Sequence, residues 1–410
     1  MTESTANNSS RPWIMNAFVM SAPGHLAPGL WRHPDQGELT VDHWVRLAKL
    51  LEEAKFHGVF FADVLGIYDV YKGPSNNAPA LQSAAQIPIG DPSLLISAMA
   101  HATQSLSFGV TASTTYENPY ALARKLATLD HISQGRVGWN IVTSYLDSAA
   151  KSYGLKEQVP HDERYARADE FMQVVYKLLE GSWQEGAVVK DKKTGVYVNP
   201  EAVRRIDHKG ALLIQQGRKP DSVRFLTGIF IVVDETDEKA QAKFEDLLQY
   251  ADLEGTAALF GGWSGTDLAN FSDDDDFAFT GPGAIQSMVK AWTATVPGTE
   301  GLKWTKPRVL EQLAISGAHA KAIGSPKTVA DILQRWITEA GIDGFNLSYA
   351  TTPGTFEDMI KYLWPELRAR GVLQEDYPVL GGSMREIFLA DGQGPRVRAD
   401  HPAAAFTWKK

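Results

Sequence analysis

Short apolar runs alternate with amphipathic helical stretches along most of this chain, and that alternation constrains its fold more than any other feature. The run 14-IMNAFVM-20 has strand composition. The stretch 41-VDHWVRLAKLLEEAKFHG-58 then repeats apolar residues at helical spacing (Trp44, Leu47, Leu50, Leu51, Ala54) before a glycine stop. The same reading predicts strands over 58–66, 106–114 and 136–144, separated by helices over 92–104 and 119–133 and followed by a helix over 161–181. Two later strands, 223–233 and 344–350, are flanked by helices over 236–252, 326–341 and 355–371. Nearly continuous apolar strands between such helices imply parallel strands covered on an outer face, either a (β/α)8 barrel or a doubly wound sheet. Six strands are too few to close the barrel.

At 410 residues the chain is long for one domain, but a barrel with insertions reaches that size. Residues 1–410 are therefore read as a single barrel domain, with 1–12 frayed and 253–298 an insertion region. A formal charge of −9 argues against a field that gathers nucleic acid or anionic membrane. The absence of cysteine removes disulfides, thiolate nucleophiles and Cys-based metal sites. No window approaches a membrane span, and the first residues lack an export signal, so a cytoplasmic protein is expected. The acidic run Asp273–Asp276 lacks the ligand alternation of a calcium loop and reads as solvated; no metal is expected.

In a parallel α/β protein the ligand side is the carboxyl edge of the strands. The strand ends there supply Asn16, Met20, Asp63, Thr111, Ser113, Thr114, Asn140, Thr143, Ser144, Asn346, Ser348 and Tyr349. Only Asp63 among them is ionised, which suits holding a polar ligand better than acid–base chemistry alone and implies a cofactor. The plainer alternative is that each polar end simply leaves the core for solvent. The dinucleotide fingerprint, the P-loop and G-x-S-x-G are all missing. His161 opens a helix as H-D-E-R-Y, and Tyr165, four residues on, shares its face where free backbone N–H groups favour a phosphate.

Several segments together carry a family resemblance: 16-NAFVM, 29-GLWRHP-34, 62-ADVLGIYDVYKG-73, 119-PYALARKLATLDHISQGRVGWNIVTS-144, 161-HDERYARADEFM-172 and 342-IDGFNLSYATTPG-354. They resemble the bacterial-luciferase-like FMN-dependent monooxygenases, in the branch of nitrilotriacetate monooxygenase component A and dibenzothiophene-sulfone monooxygenase. Within that branch, ADVLGIYDVYKG, Q-I-P-I-G-D-P, 259-LFGGWSGTD-267 and 400-DHPAAAF-406 are most similar to the dimethyl-sulfide-oxidising members.

The resemblance implies a luciferase-like (β/α)8 TIM barrel. Members of the family continue after the counterpart of 205-RIDHKG-210 with strands and a flavin-phosphate loop, whereas here Ala211 follows Gly210 at once. Two strands are therefore expected to be absent between Gly210 and Ala211. The resemblance also implies a two-component system in which a separate NAD(P)H:flavin reductase supplies FMNH2, O2 is co-substrate, and a flavin C4a-peroxide transfers one oxygen atom to a small organic substrate. It implies a homodimer or dimer-based oligomer as well.

By matching motifs, Asp63, Thr111, His161 and Tyr165 are carried over as cofactor contacts, and strand-end geometry adds Asn140 and Ser144. His25, Trp31, His33, Tyr68 and Trp139 are candidates for the substrate pocket, each with core packing as the plain alternative. No residue is assigned as acid or base. An organosulfur substrate such as dimethyl sulfide is expected. The alternatives are an aminopolycarboxylate or aryl sulfone, hydride transfer with the deazaflavin F420, and a barrel that binds flavin without turnover.

Overall fold

The computed structural model describes residues 11–208, 223–277, 283–295, 299 and 301–408. Nine strands occur in it: β1 Ile14–Met20, β2 Gly58–Ala62, β3 Ser107–Ser113, β4 Val137–Val142, β5 Val188–Asp191, β6 Val196–Val198, β7 Leu226–Val233, β8 Ala320–Gly324 and β9 Gly344–Ser348. Seven form one parallel sheet in the order β4-β3-β2-β1-β9-β7-β8, and β5 with β6 makes a separate antiparallel hairpin. All six expected strands are in that sheet. The seventh, β8, corrects the count of six: AKAIG is short and carries Lys321, so its composition gives little strand signal. The hairpin was also missed, although two valine-containing runs flank a turn that ends at Gly195, where φ is +74°. The junction of Gly210 and Ala211 lies outside the described residues.

The period-two alternation of side chains sets which residues meet the helices. On β1, Met15, Ala17 and Val19 pack in one core cluster with Trp44, Leu47, Ala48 and Leu51 of the helix Val41–Glu53. Leu47 and Leu51 are wholly buried, each contributing about 1.5–3 kcal/mol of apolar burial. Asn16, Phe18 and Met20 therefore point to the opposite, inner face. There Phe18 packs on Phe60 at 5.0 Å between ring centroids, and Asn16 Nδ2 donates to Asn346 Oδ1 at 3.2 Å.

Helix ends follow local chemistry. Thr40 caps Val41–Glu53 by accepting from the His43 amide, and Asn118 caps Pro119–Ser133 by accepting from Tyr120 and Ala121. The first helix ends five residues before the expected Gly58, because Lys55 turns left-handed (φ 65°) to feed β2. The stretch expected as one helix over 355–371 is α-helical over Gly354–Asp358 and Trp364–Ala369, with a π-helical turn Met359–Leu363 between them. Pro365 explains the widened turn: it has no N–H to donate, and its ring crowds the carbonyl of the preceding turn.

Candidate active site

The carboxyl ends of β2 and β4 and the start of the helix His161–Gly181 line a cavity of about 420 Å3. Asp63, Ser144, Tyr145, His161, Arg164 and Tyr165 are among its lining residues. Four of the six expected cofactor contacts, Asp63, Ser144, His161 and Tyr165, thus share one space. The remaining two do not line it: Asn140 Nδ2 donates to Thr111 Oγ1 at 2.9 Å, and Thr111, which lines a neighbouring cavity, donates on to the Phe61 carbonyl at 2.8 Å. Ser144 is left-handed (φ 56°), an unfavourable backbone for a residue with a Cβ, and its Oγ donates to Ser113 Oγ at 2.8 Å.

The helix start supplies the positive side. His161 and Tyr165 stand 4.8 Å apart between ring centroids, the convergence expected of positions i and i+4. Pro160 precedes the helix without a side-chain cap, so the first amides are not occupied by one. Arg164, which the sequence reading passed over, donates from Nη1 to the Val159 carbonyl at 2.6 Å, while its buried Nε has no partner. Nearby acids are already engaged: Asp162 contacts His161 at 2.8 Å, and Glu163 pairs with Arg167. An orphaned guanidinium N–H beside uncapped amides fits a phosphate. Burial, followed by the nearby Asp91 charge, pushes the Asp63 carboxyl up to about 7.

Of the residues expected in a substrate pocket, Tyr68 is the hub of a buried network. Its hydroxyl donates to Gln86 Oε1 at 3.0 Å, accepts from Trp263 Nε1 at 3.0 Å and lies 2.9 Å from the Tyr145 hydroxyl. With its own proton committed to Gln86, Tyr145 is the donor and every hydrogen-bonding position of the Tyr68 oxygen is filled. Gln86 Nε2 continues the chain to the His25 carbonyl at 2.5 Å. The His25 ring is buried, 4.7 Å from Phe18 and 5.7 Å from Tyr349, with Nδ1 unpartnered. Burial lowers its pKa to about 3 and that of His319, near the same Phe18, to about 4, so both rings are neutral. Gln86 and Trp263 stood in two of the segments that carry the resemblance without being assigned to a pocket, and His319 was missed outright, because no sequence pattern brings residues so far apart together.

None of the five substrate-pocket candidates lines the 420 Å3 cavity: Tyr68 reaches it through the lining residue Tyr145, His25 stands one step further behind Gln86, and the other three are placed elsewhere. Trp31 is half exposed, and His33 is tied to Asp246 at 3.4 Å on the outside of the loop after β1. Trp139 donates to the Ala112 carbonyl at 3.0 Å and packs on Phe171 of the helix layer. Alternation accounts for this: Asn140 faces inward with Thr111, so its neighbour Trp139 must face the helices.

A luciferase-like monooxygenase signature matches residues 24–200. The dimethyl-sulfide monooxygenase of Hyphomicrobium sulfonivorans is 37% identical, over 96% of this chain and 93% of that protein. The chain belongs to the luciferase-like monooxygenase family. The alignment with that relative runs to 455 positions against 410 residues here, so part of the relative has no counterpart in this luciferase-like monooxygenase. A long-chain alkane monooxygenase of Geobacillus thermodenitrificans is also 37% identical, over 96% of this chain and 97% of its own. The crystal structure of DmoA from Hyphomicrobium sulfonivorans superposes with a TM-score of 0.88 at 36% identity, covering 97% of this chain and 96% of that one. A riboflavin lyase crystallised with modified FMN and riboflavin gives 0.83 at 27% identity, covering 97% of this chain and all of that one.

Proposed function

We propose that the cavity holds reduced FMN delivered by a separate NAD(P)H:flavin reductase, and that the enzyme uses it with O2 to oxygenate a small organosulfur compound such as dimethyl sulfide. The observation that carries this reading is the unpartnered Arg164 Nε beside His161 and Tyr165, in a cavity that Asp63 and Ser144 also line. Arg164, His161, Tyr165 and the uncapped amides would hold the phosphate, with Asp63 and Ser144 further along the same wall. The bound flavin supplies the oxygen-activating chemistry. The protein's own residues orient the ring, exclude water and fix the substrate's approach.

For the substrate, the reading rests on the neighbouring buried groups. Tyr68, which reaches the cavity through Tyr145, is linked to Trp263 and, through Gln86, to the neutral His25 and Phe18, an aromatic group of side chains that holds no cation for a substrate carboxylate. That chemistry favours an uncharged sulfide over an aminopolycarboxylate. The alkane monooxygenase is as similar as the sulfide enzyme, so an n-alkane is the second reading. Apolar recognition discriminates by only about 1–3 kcal/mol per methylene, so related thioethers should compete.

Oxygen uptake with enzymatically supplied FMNH2, scanned over dimethyl sulfide, n-alkanes, an aryl sulfone and an aminopolycarboxylate, tests the proposal. Uptake above the substrate-free rate with the sulfide supports it. A response to the alkane alone selects the second reading, and normal FMN binding without any substrate response reduces the protein to a flavin-binding barrel.

A further inference from the structure

Two cavities meet at Asp63. The second, of about 320 Å3, lies behind the first, between the loop after β2, residues 89–93, the end of β3 and the helix Pro119–Ser133. Asp63, Asp91, Glu117 and Lys125 are among its lining residues, and Asp63 and Ser144 line both spaces. Lys125 Nζ stands 3.5 Å from Glu117 and 3.9 Å from Asp91. Three carboxylates therefore share one ammonium around a partly dehydrated space. The proton that relieves their repulsion settles on the acid whose charge is least well solvated.

Asp63 is that acid. Lys125 holds the other two, whereas among the described residues no cation is placed in ion-pair contact with Asp63. Burial and the Asp91 charge push Asp63 up, Glu117 adds to this, and the Val64 amide and Lys125 partly offset it. The remaining ionisable groups around it are Tyr153 on the acidic side and Tyr145, His161, Arg164 and Tyr165 across the larger cavity.

We propose that Asp91 and Glu117, held by Lys125, are positioning residues that keep the Asp63 carboxyl protonated at the flavin cavity, so that it meets an anionic cofactor as a neutral hydrogen-bond donor. The inference rests on the flavin reading of that cavity. Its consequence is linkage: FMN binding above neutral pH takes up one proton from water, and an ionised Asp63 opposes the phosphate-bearing ligand.

The test is FMN affinity from pH 5.5 to 9 for the wild type and for Asp63→Asn, Asp91→Asn and Lys125→Met. The ratio of wild-type to Asp63→Asn affinity cancels the titration of the FMN phosphate itself. It should be flat at low pH and fall above about pH 7, approaching about tenfold per pH unit. Asp91→Asn should move that break to lower pH and Lys125→Met to higher pH. The pH dependence of the apoprotein's melting temperature, compared between wild type and Asp63→Asn, follows the same proton without flavin. A ratio flat across the range, or breaks that stay in place in both Asp91→Asn and Lys125→Met, overturns the inference while leaving the flavin reading intact. Absence of FMN binding in every variant, the wild type included, instead overturns the flavin reading.

Discussion

Arg164 lines the cavity and has a buried, unpartnered Nε, and under the proposed flavin reading its guanidinium would meet the ligand phosphate. Replacing it by methionine, which keeps the stem and removes the charge, should weaken FMN binding by about 10- to 100-fold, the 1.5–3 kcal/mol of a charged hydrogen bond. Riboflavin, which has no phosphate, should bind wild type and Arg164→Met alike, as read by flavin fluorescence; an equal loss for both ligands would remove Arg164 from the phosphate. His161→Ala and Tyr165→Ala should also weaken FMN binding, and unchanged affinity in both would take them out of the site. At this scale the sequence was legible where chemistry and position coincide: Asp63 and Ser144 end strands, and His161 and Tyr165 open a helix. Arg164 stood in the same H-D-E-R-Y motif, but an arginine on a helix reads equally well as a solvated charge. Trp139 was opaque for a different reason. Both faces of a parallel strand are apolar, so composition cannot say which one a tryptophan occupies.

The helix Leu253–Ser264 is the element that seats Tyr68. It is buried over Gly255–Gly262, and a Cβ on Gly262 would fall 1.8 Å from the Tyr68 ring. Gly262→Ala should therefore displace either the helix or Tyr68, costing about 1–3 kcal/mol as overpacking does. A lowered denaturation midpoint together with a raised KM for substrate would bear this out, and unchanged values for both would contradict it. This helix fell inside the region read only as an insertion, since a helix buried all round shows no amphipathic stripe. The strands were legible because parallel strands concentrate β-branched and aromatic residues, and β8 was the exception with its lysine and five residues. The break at Met359–Leu363 needed only Pro365, a residue visible from the start whose effect within a longer helix is local.

Across the whole molecule, buried imidazoles couple stability to pH. His25 and His57 are lowered to about 3 and His43 and His319 to about 4, in each case chiefly by burial. A histidine whose folded pKa lies below its unfolded value of 6.5 takes up its proton more readily when unfolded. Its contribution is therefore complete above about pH 6.5 and is lost as pH falls toward 3–4, at up to about 1.4 kcal/mol per pH unit for each ring. Asp63 acts in the opposite sense: raised from 3.8 to about 7, it lowers stability as pH climbs through that interval. With four depressed rings set against Asp63 and against Asp69, Asp130 and Glu180, which burial also raises, the urea midpoint should fall steadily below pH 6.5, and a midpoint constant down to pH 4.5 would contradict this. The order of strands and helices was legible at this scale because it follows from periodicity alone. Long-range contacts such as Phe18 on His319, or the network from Trp263 through Tyr68 to Gln86, exist only once the sheet is wound. The central claim, oxygen transfer at this cavity, is tested most directly by turnover under 18O2 with supplied FMNH2 and dimethyl sulfide. One labelled oxygen atom in the organic product, formed at a much lower rate by Arg164→Met at limiting flavin, is the predicted result; oxygen consumed with no label entering the product would contradict it.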